Sequence, residues 1–144
     1  MFPPLLALGV LAAGVGAHFY HPIPMAPRLP LRISGGILAI GAFFIVFAAR
    51  AQMTKAGTNV NPSLPATAIV TGGPYRFTRN PMYLSLCLLN AGIGLTLCDL
   101  TPVVLTSALA VVLHYGVILR EERYLERKFG DVYTAYLGRV RRWL

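Results

Sequence analysis

The chain has 144 residues, of which 56% are apolar and 12% charged, with a mean hydropathy of +0.61. A soluble domain of this size needs roughly a quarter of its residues charged to cover its surface, so the composition excludes a water-soluble globule and points to a membrane. Thirteen Lys and Arg against five Asp and Glu give a net charge of +8, but these cations cluster beside apolar segments, which favours charge at a membrane face over nucleic-acid binding.

Uncharged stretches set the order of elements. The first is apolar from Leu5 to Tyr20; Ile33 to Ala49 follows with 17 residues, Asn80 to Cys98 with 19, and Leu100 to Leu119 with 20. A bilayer core about 30 Å thick takes roughly 17 to 25 helical residues. The fold expected is therefore all-α: an integral membrane protein with four transmembrane helices and a cytoplasmic C-terminal helical segment, forming one domain over 1–144. The opening Met1-Phe2-Pro3-Pro4 lacks the basic lead of a signal peptide, so the first span is expected to be retained. Gly9, Ala13 and Ala17 give that span a small-residue stripe for close packing, and residues 1–50 read as scaffold. His18 and His21 lie near its outer end with no evident acidic partner, and read as interfacial. Cys87 and Cys98, eleven residues apart on one helix, cannot pair.

A Pro-rich connection from His21 to Leu31 joins the first two spans, and Asp99 with Thr101-Pro102 makes a tight turn between the last two. Arg50 to Arg79 is the long loop, broken by Gly57, Pro62, Pro65, Gly72, Gly73 and Pro74. Sorting Lys and Arg by side leaves Arg28 and Arg32 outside and eleven inside when the N-terminus is inside. Both termini, the long loop and the basic tail are thus expected in the cytoplasm, in an inner or plasma membrane.

The chemistry is expected where two polar segments meet. In the first, Ala68 to Val70 reads as a short extended piece, Gly72-Gly73-Pro74 as a turn, Asn80 as a helix N-cap and Pro81 as the first helical residue. Tyr75, Phe77 and Tyr83 would serve equally as interfacial aromatics, with Arg76 and Arg79 as inside charges. In the second, Leu125 and Phe129 follow Glu121 at four-residue steps, which places this carboxylate on an inward, apolar stripe where it needs a cationic partner. Local pairs such as Arg123 with Glu126 or Arg127 with Asp131 use neither Glu121 nor Glu122. His114 lies seven residues before Glu121, on nearly the same helix face; an ionisable residue inside a span is a candidate functional group, although a neutral His bonded to a neighbouring helix would serve as well. No constellation of metal ligands is apparent.

Gly73-Pro74-Tyr75-Arg76-x-x-Arg79-Asn80-Pro81-x-Tyr83, followed 38 residues after Tyr83 by Glu121-Glu122-x-x-Leu125-x-x-x-Phe129-Gly130-x-x-Tyr133-x-x-Tyr136, resembles the isoprenylcysteine carboxyl methyltransferase and phospholipid methyltransferase superfamily of membrane enzymes. The resemblance covers roughly residues 57 to 142. It implies an S-adenosylmethionine-dependent methyltransferase whose cofactor sits in a cytoplasmic pocket and whose hydrophobic acceptor arrives from the membrane lipid. Carried across, it places Thr67, Ala68, Ile69, Val70 and Tyr75 against the cofactor, with Asn80, Pro81, Met82, Tyr83 and Glu121; Glu122, His114 and Arg79 are further candidates. Asn80 stands where many members have His, and since Asn does not titrate, general-base catalysis is not expected there. Ser85 replaces a frequent Gly. An isoprenylcysteine-type carboxyl methyltransferase, an NADPH-dependent membrane reductase and a non-enzymatic membrane subunit are the competing expectations.

Overall fold

The computed structural model describes residues 2–61 and 64–144, which leaves Met1, the loop breaker Pro62 and Ser63 outside the description. In chain order it contains α1 (Pro3–Tyr20), α2 (Arg28–Lys55), a one-turn 3-10 helix (Gly73–Arg76), α3 (Pro81–Leu97), α4 (Leu100–Leu113), a π-helical turn (His114–Ile118), α5 (Leu119–Phe129) and α6 (Asp131–Leu137). There is no strand among the described residues, so the fold is all-helical and Ala68 to Val70 pairs with nothing as a strand. Pro3–Tyr20, Arg28–Lys55 and the continuous Leu100–Phe129 are long and apolar enough to cross a bilayer. α3, expected as a further span, is apolar and has 17 residues, about 26 Å at 1.5 Å per residue, at the lower limit of what a 30 Å core takes. α2 outruns its expected end by six residues, because Arg50 to Lys55 keep good helix formers in register until Gly57 takes φ +67°.

Burial is inverted relative to a soluble protein. α2 buries Gly35, Ala42 and Ala49 and turns Ile37, Phe44 and Phe47 outward. Large apolar groups on the outside and small ones at the contacts suit a lipid solvent, where close backbone approach replaces hydrophobic collapse. The tightest approach joins α2 to α3: a Cβ on Gly35 would stand 2.5 Å from the Thr96 nitrogen, and one on Gly92 would stand 2.8 Å from the Gly35 oxygen. In α1 the packed small residues are Ala7 and Gly14, with Gly14 against Pro102. The stripe read from sequence is displaced, since Gly9 and Ala13 are exposed. A seven-residue interval keeps one helix face as well as a four-residue interval does, and the partner helix decides which is used.

The end away from the long loop is held by one carboxylate. Asp99, fully buried, accepts from the Thr101 and Ile23 amides and meets His18 Nδ1 at 2.7 Å. His18 is therefore a structural partner and not a solvated interfacial residue; the acid it lacked locally lies 81 residues away in the chain. Pro24 forms an isolated antiparallel bridge with Asp99, tying the Pro-rich connection to the α3–α4 turn. Cys98 ends α3 in the left-handed conformation, its thiol reaching the Arg28 carbonyl, and both cysteines are free.

Candidate functional site

At the opposite end, the chain between α2 and α3 folds against α5 and α6. Thr58 is its hub: its hydroxyl oxygen accepts from the amides of Thr67 (2.9 Å) and Ala68 (3.4 Å), while Thr67 Oγ1 donates to the Gly57 carbonyl. Lys128 on α5 donates to the Ala66 carbonyl and fastens this loop to the helix. Ala68, Ile69 and Val70 run on half-buried toward the turn. That turn requires glycine, because Gly73 has φ +56° and a Cβ there would meet Gln52 Cγ at 2.8 Å. Pro74 is the second residue of the 3-10 helix that Gly73 starts. Tyr75 follows, its carbonyl accepting from Tyr136 Oη at 2.7 Å.

Pro81 occupies the first turn of α3, as expected. Asn80 is at the N-cap position, but its side chain does not cap; Nδ2 donates to the Arg142 carbonyl at 3.0 Å. Thr78 Oγ1 donates to the same carbonyl, and the Arg79 amide to that of Arg141. The start of α3 is thus sealed by the end of the chain. One turn on, Tyr83 Oη donates to Glu121 at 2.8 Å. Met82 accepts from Ser85 through its carbonyl, which consumes the Ser85 hydroxyl locally.

Two carboxylates side by side on α5 have different partners. Glu121 is half-buried and faces Tyr83, whereas Glu122 is 8% exposed and bound by Arg142, with Nε at 3.0 and 3.1 Å and Nη2 at 2.8 Å. Arg79 Nη2 lies 3.4 Å from Glu122 Oε1, and its Nε is buried without a partner among the described residues. Arg123 and Arg127 form no ion pair with Glu126 or Asp131 among the described residues; each turns its Nε to the carbonyl four residues earlier. Hydrogen bonding to Glu122 holds Arg142 above the usual guanidinium range. Burial, reinforced by Tyr136 and Glu121, raises the Tyr75 phenol, and burial pushes Tyr136 up to about 12. Tyr75 and Tyr136 therefore stay neutral at any physiological pH.

The structure therefore brings Tyr75, Arg79, Asn80, Tyr83, Glu121 and Glu122 into one polar cluster at the ends of apolar helices. Thr67 and Ala68 contribute to it by closing the loop. His114 is not directed to Glu121: the five-residue π turn breaks the seven-residue count, and Trp143 Nε1 donates to His114 Nδ1 at 3.1 Å. Sequence reasoning missed Arg142 and Trp143, having read the tail as inside charge, and it missed Gln52. Tyr133 and Tyr136 stood in the quoted pattern without an assigned role; both are buried.

A buried acid–tyrosine–arginine cluster capping a bundle of apolar, lipid-suited helices defines a helical membrane protein with a polar site at one end. The chain belongs to the phospholipid methyltransferase family, which matches residues 31–132, and that membership carries methyl transfer as its general activity. It is also 43% identical over 63 residues to a protein of Haemophilus influenzae described as uncharacterized; the match covers 44% of this chain and the whole of that protein.

Proposed function

We propose that the chain is an S-adenosylmethionine-dependent methyltransferase that alkylates a neutral or amine-bearing hydrophobic acceptor drawn from the bilayer, with its site on the cytoplasmic face of an inner or plasma membrane. The observation that carries this reading is the Tyr83–Glu121 bond beside Tyr75 at the polar end of apolar helices, in a member of a methyltransferase family. The residues fit the cofactor's groups. Glu121 has an oxygen beyond the one Tyr83 engages, suited to an ammonium or ribose hydroxyls. The buried Arg79 Nε, without a partner among the described residues, suits a carboxylate. Tyr75 and Tyr83 offer ring faces for a sulfonium. When bound, adenosylmethionine supplies an electrophilic methyl whose transfer breaks a C–S bond and leaves a neutral thioether.

The chain's own contribution is alignment and dryness. Tyr83 fixes the Glu121 carboxylate by donation, while Leu113 and Ile118, with no exposed surface, share the apolar core cluster with Tyr83. Asn80 is committed to the Arg142 carbonyl, so no titrating base stands at that position. With no titrating base at that position, an amine acceptor would have to arrive deprotonated, its proton left in water at the interface, and the chain would hold its lone pair in line with the methyl group. A carboxylate acceptor would need a cation of its own beside the cofactor, yet Arg142 is bound to Glu122, Arg79 is shared between Glu122 and the cofactor's carboxylate, and Arg76 is exposed, which disfavours prenylcysteine.

Calorimetry on purified protein should detect binding of adenosylmethionine or its demethylated product. Glu121→Gln should weaken it by about 1.5–3 kcal/mol, roughly 10- to 150-fold. Unchanged affinity in this variant would remove Glu121 from the site. Efficient methylation of a farnesylcysteine analogue, against none of a panel of lipid amines and hydrophobic thiols, would reverse the assignment of the acceptor.

A further inference from the structure

The site uses one side of α5 and leaves the other unexplained. Arg120, Arg123 and Arg127 fall within an arc of about 60° on a regular helix, centred roughly 180° from Glu121 and Glu122. Together with Glu126 they line a concavity of about 450 Å³. All four are exposed, and none takes part in the ion pairs of the described residues. The lining therefore carries three cations against one anion.

Position and orientation specify the ligand. These arginines begin two residues after the last π-helical residue, Ile118, where the apolar helix ends. Just before them, Val111, Val112 and Tyr115 are 57, 39 and 66% exposed, which is the lipid-facing pattern of this fold. Helical side chains lean toward the N-terminus of their helix, which for α5 is the apolar side. The bonds from Arg123 Nε to the Leu119 carbonyl (3.1 Å) and from Arg127 Nε to the Arg123 carbonyl (3.2 Å) fix that lean. They use the Nε donors and leave the terminal amines of both guanidiniums without an acceptor among the described residues. Gly116, on the turn below Arg120, has open space where a side chain would stand.

We propose that this arginine row binds the phosphate of an anionic phospholipid headgroup, its acyl chains lying along the exposed face of α4, as a lipid site separate from the methyl-transfer site. Charge alone draws a basic segment to an anionic surface at about 1 kcal/mol per arginine, near five-fold each. A built site adds selectivity, because forked guanidiniums match phosphate oxygens in pairs.

The test uses the full chain in nanodiscs of phosphatidylcholine with a minor fraction of phosphatidylglycerol, with retained lipid counted by native mass spectrometry. The wild type should retain one phosphatidylglycerol saturably. The variant R120Q/R123Q/R127Q should lose that retention, with a fall in affinity on the order of five-fold per arginine removed. The charge-matched variant R50Q/K55Q/R139Q, altered at exposed positions elsewhere, should keep it. Equal loss in both variants would reduce the patch to diffuse charge and overturn the proposal. So would a wild type without preference for phosphatidylglycerol, a measurement that needs no variant to fold. Inorganic phosphate added to pure phosphatidylcholine nanodiscs should neither bind nor displace lipid at millimolar concentration; tight binding of the free ion would show an anion site that is not a lipid site.

Discussion

Removal of Arg142 should expose how much the closing of the site depends on the last residues of the chain. In the native arrangement Glu122 receives three contacts of 2.8–3.1 Å from that guanidinium. Without it, only Arg79 Nη2 at 3.4 Å remains among the described residues, longer than the 2.7–2.9 Å of a strong charge-assisted bond. Breaking a fully buried pair costs about 3–5 kcal/mol. The Arg142 side chain is 33% exposed against 10% for Glu122, so water screens part of the interaction, and the expectation falls to about 2 kcal/mol. A double-mutant cycle of Arg142→Ala with Glu122→Gln isolates this coupling. Trp143, the single tryptophan of the chain, is bonded to His114 next door, so its fluorescence during denaturant unfolding in micelles reports detachment of the tail directly. Arg142→Lys keeps the charge but loses the fork, and should recover less than half of the coupling. A coupling below about 0.5 kcal/mol, or a lysine as good as the arginine, would refute the claim that the forked Glu122–Arg142 pair helps to hold the tail.

At the α2–α3 contact, Gly92→Leu would push a Cβ to within 2.8 Å of the Ala39 nitrogen and the Gly35 oxygen. It should destabilise the bundle by at least about 2 kcal/mol in the same unfolding assay, whereas Gly9→Leu, in open space, should be tolerated. The proposed orientation predicts that Lys55→Cys and Arg139→Cys are both shielded from an impermeant thiol reagent in intact cells and both labelled after permeabilisation. The native thiols at Cys87 and Cys98 are buried and should give little background; labelling of either new cysteine from outside would invert the topology.

Composition and uncharged runs sufficed for the helical membrane architecture, because the cost of burying charge in lipid is set by residue type and needs no tertiary information. They also found the two segments that meet, since Gly73, Pro81 and the paired acids are each tied to a local backbone or charge requirement. What they could not supply were partners distant in the chain. His18 looked solitary because Asp99 is 81 positions away, and Asn80 has the type of a helix cap, yet the Arg142 carbonyl claims its amide from 62 positions away. Arg142 itself resembles any basic tail residue until the fold returns it to Glu122.

The choice between the two acids depends on a feature with no sequence signature. On a regular helix the buried stripe Thr106, Leu109, Leu113 would continue through Val117 to Glu121, which would make Glu121 the innermost carboxylate. Instead the stripe steps from Leu113 to Ile118, five residues, and then to Glu122, because His114–Ile118 forms a π turn that holds one extra residue at nearly the same height. Glu122 is thereby buried against Arg79 and Arg142, and Glu121 is left half-buried beside Tyr83. The extra residue can be subtracted. Deleting Gly116, which has no side chain and open space around it, lets the turn revert to an α turn with Ile118 and Glu122 still following Leu113 on one face. Inserting an alanine after Gly116 adds a residue that the turn cannot absorb and rotates α5 by about 100°. The deletion should therefore preserve most of the Glu122–Arg142 coupling, while the insertion should abolish it and detach the Trp143 signal from His114. If the deletion destroys the coupling as completely as the insertion does, the π turn sets the site by its own geometry and not by the residue it adds.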